Sequence, residues 1–273
     1  MKVWYGTEKS YDAVLDAQVQ LKAMLKANPG LDAFDPPSLL EVEDGVGLVS
    51  IAGSLINGSA GWLAIFGVTG YDDIAEALLE GVSDKSVKSI VLAVNSPGGD
   101  AKGVRQLGDL IKNVGTVKPV NVYADSIGSA AYWLGSAGRH ITLDEMGLAG
   151  SIGALIVHTD RSKQLEQDGV KKTIIRAGAN KALANPIEPL TDEARAGLQE
   201  IVDTSRDLFV NAVAENRGVT AATVESSFGQ GKEFMGHKAV AVGLVDKVGT
   251  LEDAIAHSKA LQKGFKATKA VKV

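Results

Sequence analysis

Two kinds of apolar segment alternate along the middle of this 273-residue chain. Short runs rich in valine, isoleucine and tyrosine, at 46–52, 87–94 and 120–124, are typical of strands buried on both faces. Between them, segments 69–79 and 103–114 have apolar residues at helical spacing. This alternation predicts an α/β fold with mostly parallel short strands joined by right-handed crossovers. Further strands are predicted at 139–143, 154–158, 172–176 and 243–248, and further helices at 130–137, 191–217, 221–228, 236–242 and 250–262.

The two ends of the chain differ from its middle. Residues 1–40 combine an amphipathic helical pattern with a proline-containing stretch, which predicts a helical arm and a linker. The last residues, 263–273, carry four lysines and no acid, which is typical of a mobile cationic end. We therefore predict an N-terminal arm at 1–40, a main domain at 41–262 and a basic tail at 263–273.

Composition excludes several classes of function. A hydrophobic content of 45% is enough for a packed core, and a net charge of −5 argues against nucleic acid as the main partner. The chain has no cysteine, which excludes disulfides, thiolate catalysis and cysteine-bound zinc. Its four histidines are scattered, so a histidine-rich metal site is not expected either. We predict no metal and no other cofactor.

No targeting or membrane segment is recognisable in the sequence. The first nine residues, Met-Lys-Val-Trp-Tyr-Gly-Thr-Glu-Lys, lack the apolar core of a signal peptide. The longest apolar stretches, 51–68 and 120–137, are interrupted by glycine and polar residues before they reach the length of a membrane span. The expectation is a soluble, cytoplasmic protein with no membrane partner.

Ser129 stands where a predicted buried strand turns into an alanine-rich helix. Residues 125–129 must turn sharply, because helical sequence begins at Ala130. A serine in such a turn has its hydroxyl at the helix N-terminus, where free N–H groups face any negative charge that develops. That setting suits a nucleophile. An N-cap is the alternative interpretation of the same residue.

Two glycine-containing turns are candidates for the rest of a site. Asn95-Ser-Pro-Gly-Gly99 follows a buried strand, and its N–H groups could bind a carbonyl oxygen as it becomes an oxyanion. Ser151, in Ala149-Gly-Ser-Ile-Gly153, could hold a lysine head group. Each segment by itself is equally consistent with a plain tight turn.

A nucleophilic serine also needs a base. Histidine is the usual base, but neither His140 nor His158 has a small, polar, glycine-rich setting, and His257 is predicted on a solvated helix face. Lys181 lies in a nearly uncharged stretch of alanine and glycine, which could desolvate its ammonium group and favour the neutral amine. Because a lone loop lysine is more commonly exposed, the residues alone leave the choice of base open.

Taken together and in order, these segments resemble the signal peptide peptidase A family of serine peptidases, including its branch of phage head maturation (prohead) proteases. The resemblance covers most of the chain, from about Val46 to Ile255. Each motif is weak singly, but the ordered set is specific. The segments are Val94-Asn-Ser-Pro-Gly-Gly99, Ser126-Ile-Gly-Ser-Ala-Ala-Tyr-Trp133, Gly150-Ser-Ile-Gly153, Ala177-Gly-Ala-Asn-Lys181, Glu188–Arg195, Phe209–Gly218 and Gly243–Asp246.

The resemblance implies a Ser-Lys dyad in a fold of the Clp protease/crotonase type, a superhelix of strand-strand-helix units. Ser129 matches the nucleophile, Lys181 the general base, and Ser151 the residue that orients the lysine. The resemblance also implies a protein or peptide substrate and a homo-oligomer. The implied oxyanion hole consists of Gly98, Gly99 and Ala130.

Departures from the family pattern favour one branch. Ser129-Ala-Ala replaces the Ser-Gly-Gly that is common in the family, as in the phage branch, and no N-terminal anchor is visible. These features favour processing of capsid or scaffold proteins during phage head maturation. A soluble housekeeping peptidase of the same family is the alternative. A crotonase-type acyl-CoA enzyme, an inactive scaffold and a Ser-His-Asp triad are further alternatives.

Overall fold

In a computed structural model, the described residues, 2–32, 34, 36–178, 180–262 and 264–268, alternate between strands and helices much as the sequence predicts. The strands are β1 (Trp4–Tyr5), β2 (Leu40–Glu43), β3 (Val46–Ala52), β4 (Ser54–Ile56), β5 (Val68–Gly70), β6 (Ser89–Ser96), β7 (Gly99–Asp100), β8 (Val120–Gly128), β9 (Ile141–Leu143), β10 (Leu148–Gly150), β11 (Glu233–Met235) and β12 (Lys247–Val248). The helices are α1 (Glu8–Ala27), α2 (Tyr71–Ser83), α3 (Val104–Gly115), α4 (Ala130–Ser136), α5 (Ser162–Gln167), α6 (Asp192–Arg217), α7 (Ala221–Ser227), α8 (Gly236–Val242) and α9 (Leu251–Gln262), with a 3₁₀ helix at Gly61–Phe66.

The main sheet has the strand order β11-β10-β8-β6-β3-β2, and β9 joins it by pairing with β8 and with β12. Its inner strands β3, β6, β8 and β10 pair in parallel, whereas the edge strands β2 and β11 are antiparallel to their neighbours. A smaller sheet has the order β1-β7-β4-β5. The predicted α/β fold with mostly parallel short strands is therefore confirmed.

The continuous apolar runs of the central strands follow from burial on both faces. In β6, Ile90, Val91 and Leu92 are fully buried. Ile90 and Leu92 belong to the large core, whereas Val91 packs on the opposite face in a cluster with Ala254 of α9. Because helices cover both sides of the sheet, no polar alternation is needed along these strands.

The predictions for three segments have to be corrected. Residues 53–68, which the sequence pattern assigns to neither a strand nor a helix, contain β4, the 3₁₀ helix and the start of β5. Strands predicted at 154–158 and 172–176 are wrong; apart from a single bridge between Leu155 and Trp4, these described residues form no ladder. Their β-branched composition favours extended backbone, but a strand also requires a partner, and Ile175 is 96% exposed instead.

The N-terminal residues contribute to the fold beside the candidate site. Trp4 and Tyr5 are buried, and β1 pairs with β7. Helix α1 follows and packs through Val14 and Ala17. Division of the chain at residues 40 and 262 stays a prediction, and residues 263 and 269–273 of the predicted tail lie outside the described residues. Among the helices that the structure describes, none is both long and apolar enough to cross a bilayer.

Charged groups tie the C-terminal elements to the sheet. The Asp246 carboxylate accepts hydrogen bonds from Arg217 Nη2 at 2.8 Å and from the Ile141 N–H at 2.7 Å. His140 Nδ1 lies 3.9 Å from the same carboxylate, and the His140 ring packs on His257 of α9 with 4.2 Å between ring centroids. Burial lowers the pKa of His140; His257 and Arg217 act in the same direction and Asp246 opposes them.

Between pH 7 and pH 5, the free energy of unfolding of His140→Asn is expected to decrease less than that of the wild type. Because the pKa of His140 is lower in the folded chain than in the unfolded chain, where it is about 6.5, unfolding takes up a proton as the pH falls through that value. Free energies of unfolding in urea at both pH values measure the difference. His237→Asn, at an exposed position of α8, is the control and should retain the wild-type difference. If the free energy of unfolding of His140→Asn changed between pH 7 and pH 5 as much as that of the wild type, the prediction would be contradicted.

Candidate active site

Ser129 occupies a strained turn between β8 and α4. Its backbone has φ 51° and ψ −120°, a conformation that is rare for residues other than glycine. The residue is only 1% exposed. Its N–H donates to the Gly150 carbonyl at 2.8 Å, and its carbonyl accepts from the Trp133 N–H at 3.0 Å. These bonds hold the turn in place, so the position of the hydroxyl is set by the surrounding backbone.

The geometry does not support the N-cap interpretation of Ser129. The capping residues Thr7, Thr191 and Thr220 have extended backbones, and each side chain accepts an N–H from the first turn of its helix. Ser129 is not extended, and its side chain makes no capping hydrogen bond. Helix capping therefore does not explain why a serine is found at this position.

Gly98 packs closely against the backbone at the start of α4. Its φ is 95°, and a Cβ atom at this position would collide with the Tyr5 carbonyl oxygen and would lie 2.8 Å from the Ala130 nitrogen and 2.9 Å from the Gly128 carbonyl oxygen. Ala130 is the first residue of α4, so its N–H has no acceptor within the helix. A carbonyl oxygen that becomes negative beside this N–H would meet a backbone donor.

The other predicted oxyanion-hole groups are engaged in the fold. The Gly98 N–H donates to Ser96 Oγ at 3.1 Å, and Ser96 Oγ donates in turn to the Gly53 carbonyl at 2.7 Å. Gly99 lies in β7, where a Cβ atom would collide with the Leu55 carbonyl oxygen. Gly99 therefore permits the close approach of β4 and β7. Ser96 lies inside the Ser-Pro-Gly-Gly motif, but the motif by itself does not indicate this role.

Ser151 lies next to Gly150, the residue that holds the turn of Ser129. Its φ is 57°, its side chain is half-buried, and its N–H donates to the Lys232 carbonyl at 2.8 Å. The preceding residue, Gly150, accepts the N–H of Ser129. The fold thus brings Ser151, Gly98 and Ala130 to the surroundings of Ser129.

Lys181 lies in a different place. It belongs to an exposed turn between α5 and α6, where its N–H donates to the Gly178 carbonyl at 3.0 Å. Its small neighbours do not bury it within the described part of the chain. The hydrogen bonds found there do not connect Lys181 to Ser129 or to Ser151.

An aromatic cluster packs against α4, the helix that follows Ser129. Tyr5 of β1, Trp133 of α4 and Phe209 of α6 pack with ring centroids 5.0 to 5.7 Å apart. The Tyr5 hydroxyl donates to the Ser205 carbonyl at 2.6 Å, and burial raises the pKa of Tyr5 to about 12, so the ring stays neutral. This packing joins α4 to the N-terminal strand and to α6.

Glu233 lies beside the candidate site, although no sequence motif pointed to it. In the register of β11, β10 and β8, Glu233 pairs with Gly150, and Gly150 pairs with Gly128. A Cβ atom at Gly128 would lie 3.0 Å from Glu233 Oε1. The carboxylate is therefore next to the residue that precedes Ser129. Only the order of strands in the sheet reveals this proximity.

The chain is similar to several phage and bacterial proteins. It is 31% identical to head-tail preconnector protein GP5 of Enterobacteria phage P21, over 81% of this chain and 44% of that protein. It is 30% identical to capsid assembly protease C of Escherichia phage lambda, over 79% of this chain and 49% of that protein. It is 32% identical to a putative signal peptide peptidase SppA of Enterococcus faecium, over 63% of this chain and 50% of that protein. The chain thus spans about half the length of these curated relatives.

Two solved structures also match this chain, each with a TM-score below 0.5. The ClpP protease catalytic domain of Plasmodium falciparum matches with a TM-score of 0.45 and 13% identity, over 75% of this chain and 86% of that chain. A putative enoyl-CoA hydratase/isomerase of Acinetobacter baumannii matches with a TM-score of 0.42 and 15% identity, over 84% of this chain and 82% of that chain.

The family match covers the half of the chain that contains Ser129. Residues 112–265 match the family model described as Peptidase family S49. The matched part runs from the end of α3 through α9 and includes Ser151 and Lys181. Because it is more than half of all residues, this chain belongs to peptidase family S49.

Proposed function

We propose that this protein is a serine endopeptidase in which Ser129 is the nucleophile. The observation that carries the proposal is the turn of Ser129, which has a positive φ and no capping role and directly precedes the Ala130 N–H, the first of α4. A strained serine beside the first N–H of a helix, which has no acceptor within that helix, suits acyl transfer. Membership of peptidase family S49 supports a peptide bond as the bond that is cleaved.

In the proposed mechanism, Ser129 Oγ attacks the carbonyl carbon of the peptide bond while Lys181 Nζ takes the hydroxyl proton. Lys181 then delivers that proton to the leaving amine, and water hydrolyses the resulting acyl-enzyme. The Ala130 N–H stabilises the oxyanion, which is worth about 3 to 4 kcal/mol for one such donor. Gly98 becomes a second donor if its N–H leaves Ser96 Oγ. Ser151 is proposed to accept a hydrogen bond from Lys181.

Lys181 has to approach Ser129 for this chemistry, since its turn is exposed in the single chain. Ile175 in the same irregular segment is 96% exposed, so the segment also has apolar surface that the chain leaves uncovered. We propose that the protein acts as a homo-oligomer and that association packs this segment. A buried position would then favour the neutral amine that a base requires.

The proposed substrate is a capsid or scaffold protein that is processed during phage head maturation, in the host cytoplasm or in the prohead. The names of the two phage relatives support this substrate. A soluble housekeeping peptidase that degrades peptides is the second candidate, supported by the putative signal peptide peptidase of Enterococcus faecium. Cleavage of purified capsid and scaffold proteins, compared with cleavage of unfolded peptides, distinguishes the two.

Labelling with a fluorophosphonate probe tests the proposed nucleophile and base. We expect the wild type to be labelled, more strongly as the pH rises, and the adduct to be found on Ser129 by peptide mass spectrometry. Ser129→Ala and Lys181→Ala should show no labelling at any protein concentration. Lys163→Ala, at an exposed position of α5, is the matched control and should be labelled like the wild type.

Equal labelling of the wild type and Ser129→Ala would contradict the proposal. So would a complete lack of labelling in the wild type over the whole range of protein concentration. Either outcome would favour the acyl-CoA enzyme or the inactive scaffold. Labelling of Lys181→Ala at the wild-type rate would retain Ser129 as nucleophile but remove Lys181 as the base.

A further inference from the structure

Three residues form a row across neighbouring strands beside the nucleophile. Glu233 of β11 is in register with Gly150 of β10, which is in register with Gly128 of β8. The two glycines present no side chain, so the glutamate can extend over the strand between β11 and β8. Its Oε1 consequently lies 3.0 Å from the position of a Cβ atom at Gly128. The carboxylate sits one residue from Ser129, yet the proposed mechanism does not use it.

The charge of Glu233 is not neutralised by the described part of the chain. The ion pairs found there involve other carboxylates, such as Glu188 with Arg176 and Glu225 with Arg206. Glu233 itself is exposed, so a group arriving from solvent can reach it. An unpaired carboxylate at the edge of a substrate-binding space attracts a cation, because opposite charges gain most where water is partly displaced.

A second acceptor lies on the same side. The Pro97 carbonyl oxygen is 3.4 Å from the same Cβ position at Gly128. A carboxylate and a carbonyl oxygen accept hydrogen bonds but donate none. The group that satisfies both is one with several N–H donors and a positive charge: a lysine ammonium, an arginine guanidinium or a free α-amino group.

We propose that Glu233 is a specificity-determining residue, which selects substrates with a positive charge close to the scissile bond. This inference rests on the proposed peptidase function, since it assigns the substrate position to the space beside Ser129. A charge-assisted hydrogen bond of this kind predicts a preference of about 10- to 100-fold in kcat/KM over a neutral residue of the same size. The two sources of the cation, a basic side chain and a free N-terminus, are distinguished by experiment.

The test uses internally quenched peptides that differ in one residue. A single lysine is moved through the positions on either side of the scissile bond, with norleucine as its neutral match, and each peptide is made with a free and with an acetylated N-terminus. The wild type is expected to prefer lysine by about 10- to 100-fold at one position. A preference that acetylation removes would identify the α-amino group as the cation instead.

Variants connect this preference to the carboxylate. In Glu233→Gln the ratio of kcat/KM for the lysine and norleucine peptides is expected to fall close to one, and in Glu233→Lys a peptide with glutamate at that position should become the better substrate. Glu200→Gln, at an exposed position of α6, is the matched control and should keep the wild-type ratio. Thermal unfolding of each variant verifies that it is folded.

Two results would overturn the inference while the proposed function stands. One is a wild type that cleaves peptides with no preference for a positive charge at any position. The other is a lysine-to-norleucine ratio in Glu233→Gln that equals that of the wild type. If no peptide is cleaved in a Ser129-dependent manner, the proposed function fails first, and the role of Glu233 fails with it.

Discussion

Replacement of Ser129 by alanine is expected to lower kcat/KM for a peptide substrate by at least about 10⁴-fold, because the attacking oxygen is removed. Ser129→Gly should lose activity to the same extent but differ in stability. The backbone at φ 51° and ψ −120° suits glycine, whereas a Cβ atom there is strained. After allowance for the greater freedom of glycine in the unfolded chain, Ser129→Gly should unfold with a free energy about 1 kcal/mol higher than Ser129→Ala.

Cleavage of an internally quenched peptide and unfolding in urea measure the two effects of Ser129. Ser226 provides the control pair, because it is exposed in the ordinary helical backbone of α7. The free energy of unfolding of Ser226→Gly should be about 1 kcal/mol lower than that of Ser226→Ala. This order is the reverse of the one expected at position 129. If Ser129→Gly were less stable than Ser129→Ala, the turn would not hold the strain that its dihedral angles indicate.

Phe209→Ala is expected to lower the free energy of unfolding by about 3 to 5 kcal/mol, which is the cost of an aromatic side chain removed from a core. Phe209 is 0% exposed, and its ring packs 5.0 Å from that of Tyr5 and 5.1 Å from that of Trp133. The cavity would lie directly beneath α4. We therefore expect peptidase activity to fall as well, even at temperatures where the variant is still folded.

Urea unfolding of Phe209→Ala is compared with Leu208→Ala. Leu208 precedes Phe209 in α6 but is 50% exposed, so its replacement should cost less than about 1 kcal/mol. Equal effects of the two substitutions would contradict the assignment of Phe209 to the support of the nucleophile turn.

Local sequence was sufficient for the elements that surround the nucleophile. The apolar run that became β8, the alanine-rich segment that became α4 and the turn at Ser129 between them depend on residues within one short stretch. Gly98 lies in the Pro-Gly-Gly turn and has φ 95°, a conformation that glycine adopts without steric cost. Such features can be predicted because their physical causes, burial on both faces and steric freedom, act between neighbours in the chain.

Strands without partners show where the pattern of residues misleads. Residues 172–176 have the composition of a strand but stay irregular, because a strand requires a ladder partner at the right place in the fold. The sequence neighbours of Lys181 are misleading in a similar way. Its small, apolar sequence neighbours suggested burial, but in the structure the turn that contains them is exposed. Burial depends on what packs against a segment, which neighbouring residues in the sequence do not determine.

The sequence by itself determined the α/β class, the central strands and the turn that presents Ser129, because each depends on local periodicity and backbone sterics. Only the tertiary structure decided which groups surround that serine. It placed Gly98 in front of the Ala130 N–H, tied Ser129 to Gly150 and set the Glu233 carboxylate beside Gly128. The reason is physical: these contacts depend on the order and register of β6, β8, β10 and β11, whose residues are distant in the chain and meet only in the sheet.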